Sequence, residues 1–294
     1  MRIGYPCINR GIGCTSNTTF RLASYSEQNM ETHITNNLAC LEKILQFNVE
    51  NGLLFFRISS DLIPFASHPI CTYDWAGKFA RKFRSIGKLI KENGIRISMH
   101  PDQFVLINAL DDDVVKRSIA ELEYHAKVLD LMCLGRDAKI QIHVGGIYGD
   151  KAAAIERFAE RYRALPASVR KRVVVENDDH QFSLKDCLRL NSITGVPVLF
   201  DSFHHSLNNN GESVRNAMLL AENTWAEPDG PLMCDYCSQQ RGARPGTHAN
   251  SIDIKDFAEF LSHTKGIEFD LMLEIKDKEK SALKALKFLN TSAR

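Results

Sequence analysis

Five short apolar runs of this 294-residue chain each end in a side chain able to hold a divalent cation. They are Ile95-Arg96-Ile97-Ser98-Met99-His100, Ile140-Gln141-Ile142-His143, Val173-Val174-Val175-Glu176, Val198-Leu199-Phe200-Asp201 and Leu271-Met272-Leu273-Glu274. Runs of this kind suit strands buried on both faces of a parallel sheet. His, Glu or Asp at the end of five such strands would set nitrogen and oxygen ligands around one rim, where the strand C-termini of a parallel α/β barrel point. The chemistry this suggests is that of an enzyme with several metal ions.

Further candidates follow other strands: His68 after the second, His204 three residues past Asp201, and Asp235 and His248 in the seventh strand and its loop. Carboxylates crowded together repel and raise one another's pKa, so cations are their natural counter-charge. Mixed imidazole and carboxylate suits Zn²⁺ or Mn²⁺ better than Ca²⁺, with Mg²⁺ and Co²⁺ as further choices. More than six ligands implies two to three divalent ions. Such clusters stabilise both the attacking and the leaving oxygen in phosphoester hydrolysis. A lone strand-end His is usually an ordinary polar residue; recurrence at equivalent positions on successive strands sets these apart. His33, His125 and His263 fall in helical patterns and read as structural or solvated, whereas His180 and His205 flank candidates and stay open.

The elements that would position these groups alternate along the chain. Strands are expected near Arg2–Tyr5 and Leu53–Ile58, in the five runs above, and near Leu232–Tyr236. Leu38, Leu41, Ile44, Leu45 and Val49 recur at helical spacing, as do Trp75, Phe79, Phe83, Ile86 and Ile90. Further helices are expected near Val114–Leu134, Lys151–Leu165, Leu184–Asn191, Glu212–Glu222, Ile252–Leu261 and Lys278–Leu289, with Asp150 and Ser183 placed as N-caps. Eight strands alternating with eight helices is the α/β pattern of a (β/α)8 TIM barrel, here one domain over residues 1–294. Two long polar connections, Cys7 to Gln28 and Cys237 to His248, follow strands and so fall on the mouth side, where long loops bind substrate.

A hydrophobic content of 44% allows a large core, and the net charge of +1 argues against a histone-like polyanion binder. No apolar stretch approaches the ~20 residues of a bilayer span, and Met1-Arg2-Ile3-Gly4 opens no signal-peptide run; a cytoplasmic, membrane-free monomer is expected. The eight cysteines are scattered, with Cys7, Cys40, Cys133, Cys187 and Cys234 in apolar or helical patterns, which fits reduced thiols. Cys234 and Cys237, a single C-x-x-C, read as ordinary thiols for want of a second pair. Arg81, Arg84, Lys88 and Lys91 form a helical stripe and Arg170-Lys171-Arg172 a cluster, both typical of solvated faces. Arg10, Arg241 and Arg244 lie in mouth loops where phosphates could be met.

Taken together, these residues resemble the UV damage endonuclease family of the UvdE or UvsE type, over essentially the whole chain. The resemblance rests on Arg2-Ile3-Gly4-Tyr5-Pro6, Phe56-Arg57-Ile58-Ser59-Ser60 with His68, Ser98-Met99-His100-Pro101-Asp102-Gln103-Phe104, His143-Val144-Gly145-Gly146, Glu176-Asn177-Asp178-Asp179, Asp201-Ser202-Phe203-His204-His205, Arg244-Pro245-Gly246-Thr247-His248 and Glu274. It implies a barrel related to endonuclease IV that nicks damaged double-stranded DNA immediately 5′ to ultraviolet photoproducts, leaving 3′-hydroxyl and 5′-phosphate ends, with up to three Mn²⁺, Zn²⁺ or similar ions and no organic cofactor. His68, His100, His143, Glu176, Asp201, His204, His248 and Glu274 match the family's metal ligands; among them Glu176, Glu274 and His143 are the expected catalytic groups. Gln103 and Phe104 match a pair that wedges into the helix, Tyr5 and Asn9 match contacts to extruded bases, and Arg244 is expected to meet DNA. Where the family commonly has Lys-x-His-Tyr-Ser, with the Lys carboxylated, this chain has Met233-Cys234-Asp235-Tyr236-Cys237-Ser238, so Asp235 takes the ligand place and Met233 cannot carry a carbamate. The alternatives are a xylose-isomerase-like sugar isomerase or epimerase, a catalytically weak DNA-damage binding protein, and an abasic-site endonuclease.

Overall fold

Eight short apolar stretches supply the strands β1 (Ile3–Pro6), β2 (Phe55–Ile58), β3 (Arg96–Met99), β4 (Lys139–His143), β5 (Val173–Glu176), β6 (Val198–Asp201), β7 (Leu232–Tyr236) and β8 (Phe269–Leu273). In the computed structural model, which describes residues 1–292, they close into a barrel in chain order, β8 pairing back onto β1. Every ladder is parallel. This is the expected TIM barrel.

Side chains along a strand alternate between faces. On the inner face Phe55, Val174, Leu199, Met233 and Met272 pack into one fully buried apolar cluster. Two residues further along each of these strands come Arg57, Glu176, Asp201, Asp235 and Glu274. The same alternation that fills the barrel with an apolar plug therefore lays a polar tier directly above it. Met233 belongs to the plug, one step below Asp235.

The outward strand faces join the helices in a second, larger apolar core. Helix Glu27–Glu50 buries Leu38, Leu41, Ile44 and Leu45 and is capped by the Ser26 side chain. Asp150 caps Lys151–Ala164, and Ser183 with Asp186 forms a capping box on Leu184–Thr194. The pattern read from Trp75 to Ile90 is two helices, Trp75–Lys78 and Ala80–Glu92, parted at Phe79.

Two expectations need correction. Arg172 is buried rather than solvated: its guanidinium donates to the carbonyls of Leu134, Gly135 and Ala138 and to Asp130. Its neighbours satisfy every buried N–H except Nε, which is how a charge survives burial. The cysteines are not all reduced either, because Cys14 and Cys40 form a disulfide across 26 residues of sequence. Cys14 lies in the loop after β1 and Cys40 on helix Glu27–Glu50; they meet only once that loop folds back, which spacing alone does not show. Cys7, Cys71, Cys133, Cys187, Cys234 and Cys237 are free thiols, as expected. Among the described residues no helix is long and apolar enough to cross a membrane.

Candidate metal centre at the barrel mouth

Strand register brings the candidate ligands side by side. His143 and Glu176 are paired across β4 and β5, and Asp201 and Asp235 across β6 and β7. Two sets of side chains converge closely enough to share an ion, with ligand atoms within 4.8 Å of one another: His100, His143 and Glu176, and Asp201, Asp235 and Glu274. Glu176 Oε1 lies 2.9 Å from His143 Nε2 and 3.7 Å from His100 Nε2.

Beneath these groups runs a network to which the sequence alone assigns no role. Arg57, fully buried on β2, donates through Nη1 to Glu274 Oε1 and through Nη2 to Asp235 Oδ2 and Gln141 Oε1, the last two at 2.7 Å. Gln141 in turn donates from Nε2 to Glu176 Oε2, and to Asp235 Oδ2 at 2.7 Å. Period-two alternation could have found both residues. Gln141 shares the face of His143 and Arg57 that of Phe55, and a charged or amide residue inside so apolar a strand is itself a signal.

The result is that each of four carboxylates is tied by one oxygen. Arg57 holds Glu274 Oε1, Gln141 holds Glu176 Oε2, and both hold Asp235 Oδ2. Asp201 Oδ1 instead accepts from the backbone N–H groups of Phe203 and His204 at the start of helix Ser202–Leu207. Of the second oxygens, Glu176 Oε1 meets His143 and Asp201 Oδ2 lies 3.4 Å from His204 Nδ1. Asp235 Oδ1 is buried with no hydrogen-bond partner among the described residues. An orphaned acceptor amid His, Asp and Glu donors is what a cation ligand looks like before its ion is counted.

The electrostatics agree. Burial opposes charge on His143, yet Glu176 holds its imidazole up at about 9. Burial likewise works against the Glu176 carboxylate, but His143 and His100 hold it well below its usual range. Burial pushes Asp201 up to about 6 against the pull of His204, while Glu274 stays down at about 2 because Arg57 outweighs burial. Burial raises Asp235 well above its usual range despite Arg57.

His204, His248 and His68 stand outside the two sets. His204 directs Nδ1 to the Asn177 carbonyl at 3.0 Å, and its ring centre is 5.9 Å from that of His143. His248 directs Nδ1 to the Glu274 carbonyl at 2.9 Å and packs edge-on against Phe203. A backbone carbonyl on Nδ1 fixes the tautomer that offers Nε2 to a metal. His68 is exposed; its Nδ1 accepts from the Ile70 N–H at 3.1 Å. It borders a cavity of about 810 Å³ whose walls include Phe65, Phe104, Val105, Glu121 and Tyr124.

The expected DNA contacts divide. Phe104 is 73% exposed in the loop after β3, with Gln103 exposed beside it, and Arg244 is exposed on the loop after β7. Tyr5 and Asn9 are buried instead. The Tyr5 hydroxyl donates to Asn48 at 2.6 Å and accepts from Asn9 at 2.9 Å, and its ring meets Phe56 edge-on. Tyr5 therefore presents no free stacking face. Of the open histidines, His205 is buried with Nε2 at the Glu212 carbonyl, and His180 is exposed beside Asp179.

The family model described as UV-endonuclease UvdE matches residues 1–293. The UV DNA damage endonuclease of Clostridium perfringens (strain 13 / Type A) is 38% identical over 98% of this chain and 71% of its own length. That of Bacillus thuringiensis subsp. konkukian (strain 97-27) is 32% identical over 99% of this chain and 95% of its own. The crystal structure of SacUVDE superposes with a TM-score of 0.96 at 46% identity, covering 100% of this chain and 99% of that one. Endonuclease IV from Thermus thermophilus shares the fold alone, with a TM-score of 0.61 at 15% identity over 99% of this chain and 98% of its own.

Proposed function

The chain belongs to the UV-endonuclease UvdE family, and from that premise we propose that it is a metal-dependent DNA repair endonuclease that cuts the phosphodiester bond immediately 5′ to ultraviolet photoproducts in duplex DNA. The ends left are a 3′-hydroxyl and a 5′-phosphate. The observation that carries this reading is the union of two converging ligand sets with an exposed Gln103-Phe104 loop on the adjoining strand end.

The residues present fit divalent ions: two histidines with a carboxylate, and three carboxylates, one with an orphaned oxygen. His100, His143 and Glu176 would hold one ion, and Asp201, Asp235 and Glu274 another. His204, His248 and His68 would serve any ligand position these leave open. The oxygen-rich second set favours a hard ion such as Mn²⁺. When bound, such ions supply Lewis-acid charge at the phosphoryl oxygens and lower the pKa of water.

The chain's own residues do the rest. Arg57 and Gln141 fix the carboxylates from below, so that each presents one oxygen upward. Glu176 at the end of β5 and Glu274 just past β8 orient the attacking water, and His143, whose Nε2 lies 2.9 Å from Glu176 Oε1, would release the proton between them on becoming a ligand. Phe104 enters the base stack beside the lesion, with Gln103 meeting the base edges; an apolar wedge compensates part of the cost of unstacking, and damaged bases are the least costly to extrude. Arg244 meets backbone phosphate. Tyr5 and Asn9 anchor the loop after β1 from within.

The test is nicking of supercoiled plasmid, irradiated or not, with Mn²⁺ or with EDTA, followed by mapping of the ends on a labelled duplex carrying one photoproduct. Relaxation of irradiated plasmid alone, only with Mn²⁺, and a 3′-hydroxyl next to the lesion are expected. Nicking that ignores irradiation or survives EDTA removes the proposal. The sugar-epimerase alternative draws only on shared fold, as in D-psicose 3-epimerase from Clostridium cellulolyticum H10, 15% identical with a TM-score of 0.54 over 85% of this chain and 92% of its own.

A further inference from the structure

Resting on the metal-centre reading above, we propose that Arg57 is the resident cation of the mouth: its guanidinium takes the place of a third divalent ion, and the chain loads two.

Position is the first argument. Arg57 donates to three oxygens, Asp235 Oδ2 on β7, Gln141 Oε1 on β4 and Glu274 Oε1 just past β8. Three convergent oxygens at the floor of a carboxylate cluster form the set a hard cation would take. Here a guanidinium occupies it. Arg57 cannot give up its charge in a protein, so the site is filled permanently.

Charge is the second argument. The mouth carries four buried or half-buried carboxylates, Glu176, Asp201, Asp235 and Glu274. One guanidinium and two divalent ions leave that group a single positive charge, which the phosphodiester of a bound duplex cancels. A third divalent ion beside Arg57 would leave an uncompensated surplus in a region from which water is largely excluded, where unbalanced charge is costly. Among the described residues the ligands fall into two convergent sets.

The third argument concerns coordination. Because Arg57 and Gln141 hold one oxygen each of Glu274, Glu176 and Asp235, the other oxygen of each is the readier ligand for an ion. Single-oxygen ligands keep ions apart and leave positions open for water and phosphate.

A purely structural Arg57 would alter folding but not the number of ions bound, and this separates the two roles. Full-length protein stripped with EDTA would be titrated with Mn²⁺, following free Mn²⁺ by electron paramagnetic resonance and bound metal by mass spectrometry, without DNA. Wild type and Arg57→Lys, which keeps the charge, are expected to bind two ions per chain. Arg57→Ala removes the guanidinium from the three oxygens and is expected to bind three. Three ions on the wild type or on Arg57→Lys, or two on a folded Arg57→Ala, overturn the inference while leaving the metal centre standing. A single ion on the wild type overturns the inference, and no ion at all removes the metal centre itself. If Arg57→Ala does not fold, the counts for wild type and Arg57→Lys decide.

Discussion

Arg57 sets the orientation of the Gln141 side-chain amide: Gln141 Oε1 accepts from Arg57 Nη2 at 2.7 Å, which leaves Nε2 as the only group able to donate to Glu176 and Asp235. One amide thereby ties a ligand from each candidate set. Gln141→Met keeps the length of the side chain and removes both functions. Groups that orient ligands are typically worth 10–100-fold in metal affinity. Mn²⁺ binding to Gln141→Met is expected to weaken by roughly that factor, with nicking restored in part by excess metal. Calorimetric titration that gives wild-type affinity would show that Glu176 and Asp235 hold their places without it.

Phe104 calls for a different kind of experiment, since it is 73% exposed and supports no core. Phe104→Ala is expected to leave thermal stability within about 0.5 kcal/mol of wild type, as for other surface substitutions. Stacking of a base on an aromatic ring is worth about 1–3 kcal/mol, so nicking of a photoproduct duplex should fall roughly 5- to 150-fold. Metal binding should not change. Full activity on the lesion would mean that Phe104 does not enter the stack.

How much of this was legible in the sequence depends on the range of the physics involved. Strand period and apolar content are local, so the strand ends that carry His100, His143, Glu176, Asp201 and Glu274 could be read directly, and Leu232–Tyr236 was correctly placed as the seventh strand. Arg57 and Gln141 stand in plain view, inside Phe56-Arg57-Ile58 and Ile140-Gln141-Ile142, but their meaning lies in partners 217 and 35 residues away. The burial of Tyr5 depends on Asn48, 43 residues on, and so looked like a free ring. The Cys14–Cys40 bond was hidden for the same reason. Local rules place a side chain on a face; only closure of the barrel decides what it meets there.

That bond yields a prediction of its own. Cross-linking a loop of this length stabilises by about 3 kcal/mol in the chain-entropy account, and it fastens the loop carrying Asn9 and Arg10 to helix Glu27–Glu50. Cys14→Ser, or reduction of the wild type, is expected to lower the melting temperature by several degrees. Cys133→Ser, at an exposed free thiol, is the matched control and should change nothing. Equal melting of oxidised and reduced wild type would show that the loop is held by its other contacts, such as Thr18 with Asn37 at 2.7 Å.

His125 gives the acid limb of stability. Its ring is fully buried against Tyr124 at 4.9 Å, Nδ1 donates to the Glu121 carbonyl at 2.7 Å, and Nε2 has no partner among the described residues. A proton on Nε2 would be a buried donor without an acceptor. Burial accordingly lowers its pKa to about 4, against 6.5 for an ordinary histidine. The unfolded chain then binds more protons at this position than the native one between those values, so stability rises with pH in that window. The contribution is complete above pH 6.5 and is lost progressively toward pH 4, to a total of about 3 kcal/mol at 1.36 kcal/mol per pH unit. His125→Phe keeps the packing on Tyr124 and cannot titrate. Its denaturant midpoint should fall less steeply than that of the wild type as pH drops from 6.5 to 4. Parallel pH profiles for the two proteins would mean that the acid sensitivity arises elsewhere, with the carboxylates of the mouth the next groups to examine.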